Sequence, residues 1–152
     1  MNRKIVVALS IIAVICLIVF FFTAGRSTPE FNVFDFEIES EMGVYGDWFY
    51  SLTFNLQNIG DGSASNVKIL CYAVFADHIA YKADEPNSIG TFKAVKRFSS
   101  LSSNQIIDVT FEWSEFTCCS GSVNFRWSRV LYSANISVFC NERPVQTFYF
   151  TP

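Results

Sequence analysis

Four cysteines lie beyond the apolar start of the chain: Cys71, Cys118, Cys119 and Cys140. Thiols can cross-link, bind a soft metal or act as nucleophiles. An even number on an oxidising side of a membrane points to two disulfides, for which four cysteines allow three connectivities. Adjacent cysteines close a strained ring. That disfavours Cys118–Cys119 and leaves Cys71 and Cys140 each bonded to one of that pair. Zinc sites space their ligands as in C-x2-C, which Cys118-Cys119 does not match, and reduced buried thiols remain as a further alternative. A reactive thiol asks for basic neighbours. Around Cys118 the chain offers Glu112 and Glu115, with no Lys or Arg until Arg126, so the expected role is structural.

The other groups give less. His78 is the single histidine and sits in the loop-like stretch Ala76-Asp77-His78-Ile79. A triad would need it oriented beside a nucleophile; a solvent-exposed loop histidine is the simpler expectation. Glu37, Glu39 and Glu41 alternate along one strand face, Asp61 lies in a Gly-rich turn, and Asp84-Glu85 lies in a loop. Calcium needs about six to eight converging oxygens, and no D-x-D-x-D-G loop occurs. No catalytic, cofactor-binding or metal site is therefore expected, and no cofactor. Asn135-Ile136-Ser137 is an N-glycosylation sequon.

The elements that position these residues begin with a membrane segment. Residues 5–25 carry no charge. As a helix they would cover about 30 Å, the thickness of a bilayer core. Arg3 and Lys4 precede the segment, while Arg26 and then Glu30, Asp35, Glu37, Glu39 and Glu41 follow it. The positive-inside rule places the N-terminus in the cytoplasm and the rest outside. The reading is a cytoplasmic tail (1–4), a transmembrane signal-anchor (5–25), a linker (26–30) and an extracytoplasmic domain (31–152). A cleaved signal peptide, with Thr23 and Gly25 as small residues at the cut, is the alternative.

Composition agrees with that division. Hydrophobic residues make up 51% of the chain and charged residues 16%, which excludes a disordered chain. The net charge of −3 and pI near 5.1 argue against a nucleic-acid partner. Beyond the anchor, Lys68, Lys82, Lys93, Lys96, Arg97, Arg126, Arg129 and Arg143 are scattered among 14 acidic residues.

Past residue 30 the hydrophobic period is two. Phe34, Phe36 and Ile38 alternate with Asp35, Glu37 and Glu39. Similar runs are Trp48-Tyr50-Leu52-Phe54-Leu56, Val67-Ile69-Cys71-Ala73-Phe75 and Ile107-Val109-Phe111-Trp113. Val123, Phe125 and Trp127 open another, whose phase slips to Val130 and Tyr132 as at a bulge. Ile136-Val138-Cys140 and Val145-Thr147-Tyr149 close the series. Turn signals fall at Met42-Gly43, Asn58–Gly62, Glu85–Ser88, Ser102–Asn104, Ser120-Gly121 and Asn141–Pro144. The expected fold is all-β: an immunoglobulin-like antiparallel β-sandwich of 7–8 strands behind a single N-terminal transmembrane helix. Phe49, Phe139, Phe148 and Phe150 fall opposite the apolar faces of their strands, and either fill a Phe-rich core or mark a partner surface.

The motif Phe54-x-Leu56-x-Asn58-x-Gly60-x-Gly62-x-Ala64-x-Asn66-Val67-x-Ile69 resembles the second-to-third strand hairpin of CARDB-type domains, immunoglobulin-like modules of prokaryotic cell surfaces. Leu101 to Trp113 is similar to the next landmark of that family, with Asn104 where the family commonly has Gly. FxLYD-type and late-embryogenesis-abundant-like sandwiches share much of the pattern. The residues read the same way unaided. Asn58, Gly60 and Gly62 would tolerate positive φ in a turn, Ala64 would pack at the corner, and Asn66-Val67 would re-enter the sheet.

The resemblance implies adhesion or structural display without shared catalytic residues. The expected function is a membrane-anchored, non-catalytic binding or structural module, held by its helix and meeting a protein or envelope-polymer partner. A small envelope redox protein using Cys118-Cys119 is the alternative, as is a minor pilin-like or secretion subunit.

Overall fold

The computed structural model describes residues 27–42, 48–77, 89–121 and 129–151. The segment 5–25, His78, Asp84-Glu85 and the run 123–127 lie outside them. Among the described residues no helix is long and apolar enough to cross a membrane.

Eight strands form two antiparallel sheets: β1 (Phe31–Met42), β2 (Trp48–Asn58), β3 (Ala64–Asp77), β4 (Ile89–Leu101), β5 (Ile106–Glu112), β6 (Thr117–Gly121), β7 (Arg129–Phe139) and β8 (Gln146–Phe150). One sheet has the order β1-β2-β5 and the other β6-β4-β3-β7-β8. The chain crosses between sheets after β2, after β4 and again after β5, where a 3-10 turn spans Trp113–Glu115. The result is an all-β sandwich, with eight strands among the described residues.

The period-two runs supply its core. Leu52, Phe54 and Leu56 of β2 are buried against Val67, Ile69, Cys71, Ala73 and Phe75 of β3 and against Val109 and Phe111 of β5. A Phe side chain removed from water contributes about 2–3 kcal/mol, so Phe54, Phe75 and Phe111, all fully buried, are principal terms. The ring of Phe75 is met edge-on by Phe92 at 5.7 Å and Trp113 at 5.3 Å. Phe148 and Phe150 also pack against the core, and Phe36 stacks on Phe150 at 4.4 Å. Much of the aromatic excess is therefore core.

Three details differ from the expected phase. In β1 a register shift between Phe34 and Glu37 inserts one extra residue, with Asp35 at φ 51°. Phe31 and Val33 face inward before the bulge, and Phe36 and Ile38 pack inward after it. Phe34 is opposite Asn55 and shares its outward face. The slip expected between Trp127 and Val130 falls outside the described residues; β7 has its register shift at Tyr132, with Leu131 inward and Tyr132 outward, 52% exposed. In β8 the inward residues are Phe148 and Phe150, whereas Val145 and Tyr149 are exposed. β4 had no run of its own, and Ser120-Gly121, read as a turn, ends strand β6.

Candidate functional site

The Asn58 motif is a structural lock. Asn58 sits at the inward period position of β2 and is fully buried. Its Nδ2 donates to the carbonyls of Gly62 (2.7 Å), Leu101 (3.2 Å) and Ser102 (3.2 Å). Its Oδ1 accepts from the amides of Glu30 (3.1 Å) and Gly60 (3.2 Å). One side chain thus joins both crossovers at this end to the incoming chain. A buried amide is tolerated when its donors and acceptors are met in this way.

The glycines have a different cause from the one expected. Neither Gly60 nor Gly62 has a positive φ; a Cβ on Gly60 would fall on the backbone of Thr28 and Glu30, and one on Gly62 on Ser27. They are small because residues 27–30 lie directly over the turn. The left-handed positions are Asn66 and Asn104, at φ 51° and 59°. Asn is the side chain that tolerates such backbone best after glycine, which accounts for Asn104 where a glycine could serve. Ala64 is fully buried at the corner. Residues 27–30, read as a linker, are pinned: Pro29 is buried, its carbonyl accepts from Arg143, and Ile59 donates to Glu30.

No disulfide joins the four cysteines: Cys71 is buried, Cys118 and Cys119 are exposed, and Cys140 is half-buried. The expected disulfides are not formed, and register holds their partners apart. Cys71 is level with Ala94 on β4, while Cys118 on β6 is opposite Phe92, so two strand spacings of about 4.8 Å separate them. Phe92 is level with Ala73 and Ala134, and Cys140 lies six residues beyond Ala134, about 20 Å along the strand. Burial pushes the Cys71 thiol up to about 12, which keeps it protonated and inert. Cys119 occupies the register shift of β6.

Asn135 is half-buried in mid-strand, paired with Tyr72 on one side and Tyr149 on the other. Its Oδ1 is closed to solvent without a hydrogen-bond partner among the described residues. The sequon is thus part of a sheet and not of an open loop. Glu37 and Glu39 share the outward face of β1. Glu142 lies at the locked end, where hydrogen bonds from the Ser65 hydroxyl and amide hold its carboxyl below the usual range. Among the described residues no three His, Cys, Asp or Glu groups converge to hold a metal ion.

What the fold does bring together is the outer face of the five-stranded sheet. Residues directly opposite in antiparallel strands share a face. One row runs Thr117, Lys93, Tyr72, Asn135, Tyr149 across β6, β4, β3, β7 and β8. The next holds Val95, Leu70, Ser137 and Thr147, and a third Arg97, Lys68 and Phe139. Tyr72 is 37% and Tyr149 78% exposed. The Lys68 ammonium lies over the Phe139 ring at 5.2 Å. Asn66, Lys68 and Arg97 line a shallow hollow of about 390 Å³ at one end. The aromatic, cationic surface carries Lys68, Lys93 and Arg97 and no carboxylate among its described residues. Sequence reading missed it because it placed Tyr149 inward and gave β4 no strand. The outward position of Tyr72 between Cys71 and Ala73 was the available signal.

No family model and no curated protein matches this sequence. Among solved structures, crystal structures of β-glucosidase from Listeria innocua in complex with gluconolactone and with isofagomine align with 84% of this chain at 15% and 16% identity. Their TM-scores are 0.39 and 0.37, and the chain spans 16% of the length of those enzymes, so the overlap carries no argument about fold or activity.

Proposed function

We propose that the chain is a membrane-anchored, extracytoplasmic, immunoglobulin-like module that acts by binding and not by catalysis. The observation that carries the reading is the outer face of the β6-β4-β3-β7-β8 sheet, where Tyr72, beside Lys93, and Tyr149, two strands further along the same row, stand exposed. Exposed aromatics clustered on one face mark partner sites in soluble domains. The pairing of β2 with β5 and of β3 with β7 supports the immunoglobulin-like kinship and, with the Asn58 motif, a CARDB-type origin. The uncharged segment 5–25 supports the anchor. The chain enters the sandwich at Ser27, beside the Asn58 lock, so an anchored domain stands on that end with both sheet faces turned sideways.

A photo-crosslinking residue at Tyr149 in the full chain tests this in intact membranes. The reading predicts a discrete macromolecular adduct from position 149, and none from Asp61 in the turn. Equal adducts from both positions, or none from 149, would contradict it.

The exposure of Cys118 and Cys119 favours one other reading, a thiol protein. That reading predicts thiol–disulfide exchange by the full chain that Cys118→Ser abolishes; the binding reading predicts exchange no faster than that of free thiols.

A further inference from the structure

The sandwich is electrically two-sided. On the outer face of the β1-β2-β5 sheet, Glu39, Ser51 and Glu112 form one row and Glu37, Thr53 and Thr110 the next. A third holds Phe34, Asn55 and Asp108, with Asp35 at the bulge accepting from Asn55. Five carboxylates share this face with no Lys or Arg among its described residues. The opposite flank carries Lys68, Lys93 and Arg97 with Tyr72 and Tyr149. Among the described residues these cations have no ion-pair partner, whereas Lys96, which points toward the core, is paired with Glu115 at 3.2 Å.

We infer that the partner of the cationic face is the acidic face of a second copy of this chain. Opposite charge steers the two flanks together and repels like flanks. The two surfaces differ, so the contact is head-to-tail and repeats, adding copies side by side in a row. Both flanks turn sideways on an anchored domain, which places the complementary faces of neighbours at the same height. The acidic face has three strands about 4.8 Å apart, so over about six residues of about 3.3 Å the contact is roughly 15 Å by 20 Å. That is the weak end of specific interfaces. A contact of this size needs the high local concentration that a shared membrane supplies.

This inference rests on the binding-module reading and names its partner. The test is carbodiimide cross-linking of the full chain in vesicles of neutral lipid, which joins amines to carboxylates in contact. A ladder of oligomers is expected at low salt and not at high salt, with Lys93 or Lys68 of one copy linked to Glu37, Glu39 or Glu112 of the next. Two double variants, Lys93→Glu with Arg97→Glu and Glu37→Lys with Glu39→Lys, should each lose the ladder. Mixed, they should recover a dimer, because each keeps the face the other lacks, and no longer ladder. A wild-type chain that stays monomeric, a ladder indifferent to the variants, or a mixture that recovers nothing would overturn the inference. Adducts of position 149 to a different macromolecule, with no ladder, would defeat this inference alone and leave the binding-module reading intact.

Discussion

Asn58 meets five hydrogen-bonding groups with one amide; of these the Gly60 amide also donates to Glu30 and the Ser102 carbonyl also accepts from Gln105. Replacing it by Ala leaves buried carbonyls and an amide unmatched, at about 1–3 kcal/mol for each group that water does not reach. Asn58→Ala should therefore cost about 4 kcal/mol in urea unfolding, well above the usual single-residue effect. Gly60→Ala should be comparably damaging, since its methyl would meet backbone that cannot rotate away. Cys71 gives a pH signature. Its thiol titrates near 9.0 when unfolded and at about 12 when folded. The raised value means that stability is intact below about pH 9 and falls as pH rises toward 12, by about 1.4 kcal/mol per pH unit. Cys71→Ala should lose about 1 kcal/mol at neutral pH and show a shallower alkaline decline than wild type. Parallel declines in the two proteins would refute burial as the cause.

The bulge in β1 shows how an element can hide in its sequence. Phe34, Phe36 and Ile38 alternate without interruption, yet one added residue at Asp35 reverses the face, so Phe31 and Val33 are inward on one side of it and Phe36 and Ile38 on the other. Periodicity alone does not locate an insertion of one residue; an Asp able to take φ 51° does. Asp35→Val should cost about 1–2 kcal/mol, because a β-branched side chain resists that backbone, while Asp35→Gly should cost less. Asn104→Gly, at the left-handed position between β4 and β5, should be neutral or slightly stabilising in thermal melts. β2, β3 and β5 were legible because their inward residues are large and unbroken. β4 was not: its inward set is Phe92, Ala94, Lys96 and Phe98, and Lys96 reads as polar although it pairs with Glu115 and lies over the Phe111 ring. The disulfides failed for a related reason. Spacing along the chain carries no information about which strand is level with which, and register separates Cys71, Cys118 and Cys140.

At the scale of the molecule the account joins an uncharged segment, a locked lower end and two flanks of opposite charge. The sandwich could be read from the sequence, whereas the proposed binding surface could not, because a face exists only once β4, β3, β7 and β8 lie side by side. The proposed anchor also predicts a place: everything after residue 26 would be outside the cytoplasm. Cys118 and Cys119 are built-in reporters of this, being exposed while Cys71 is buried. The most direct measurement treats intact cells carrying the full chain with a mild reductant and then a membrane-impermeant maleimide, followed by peptide mapping. The account predicts rapid modification of Cys118 and Cys119 with Cys71 untouched. Modification of Cys118 and Cys119 only after the membrane is opened would contradict it.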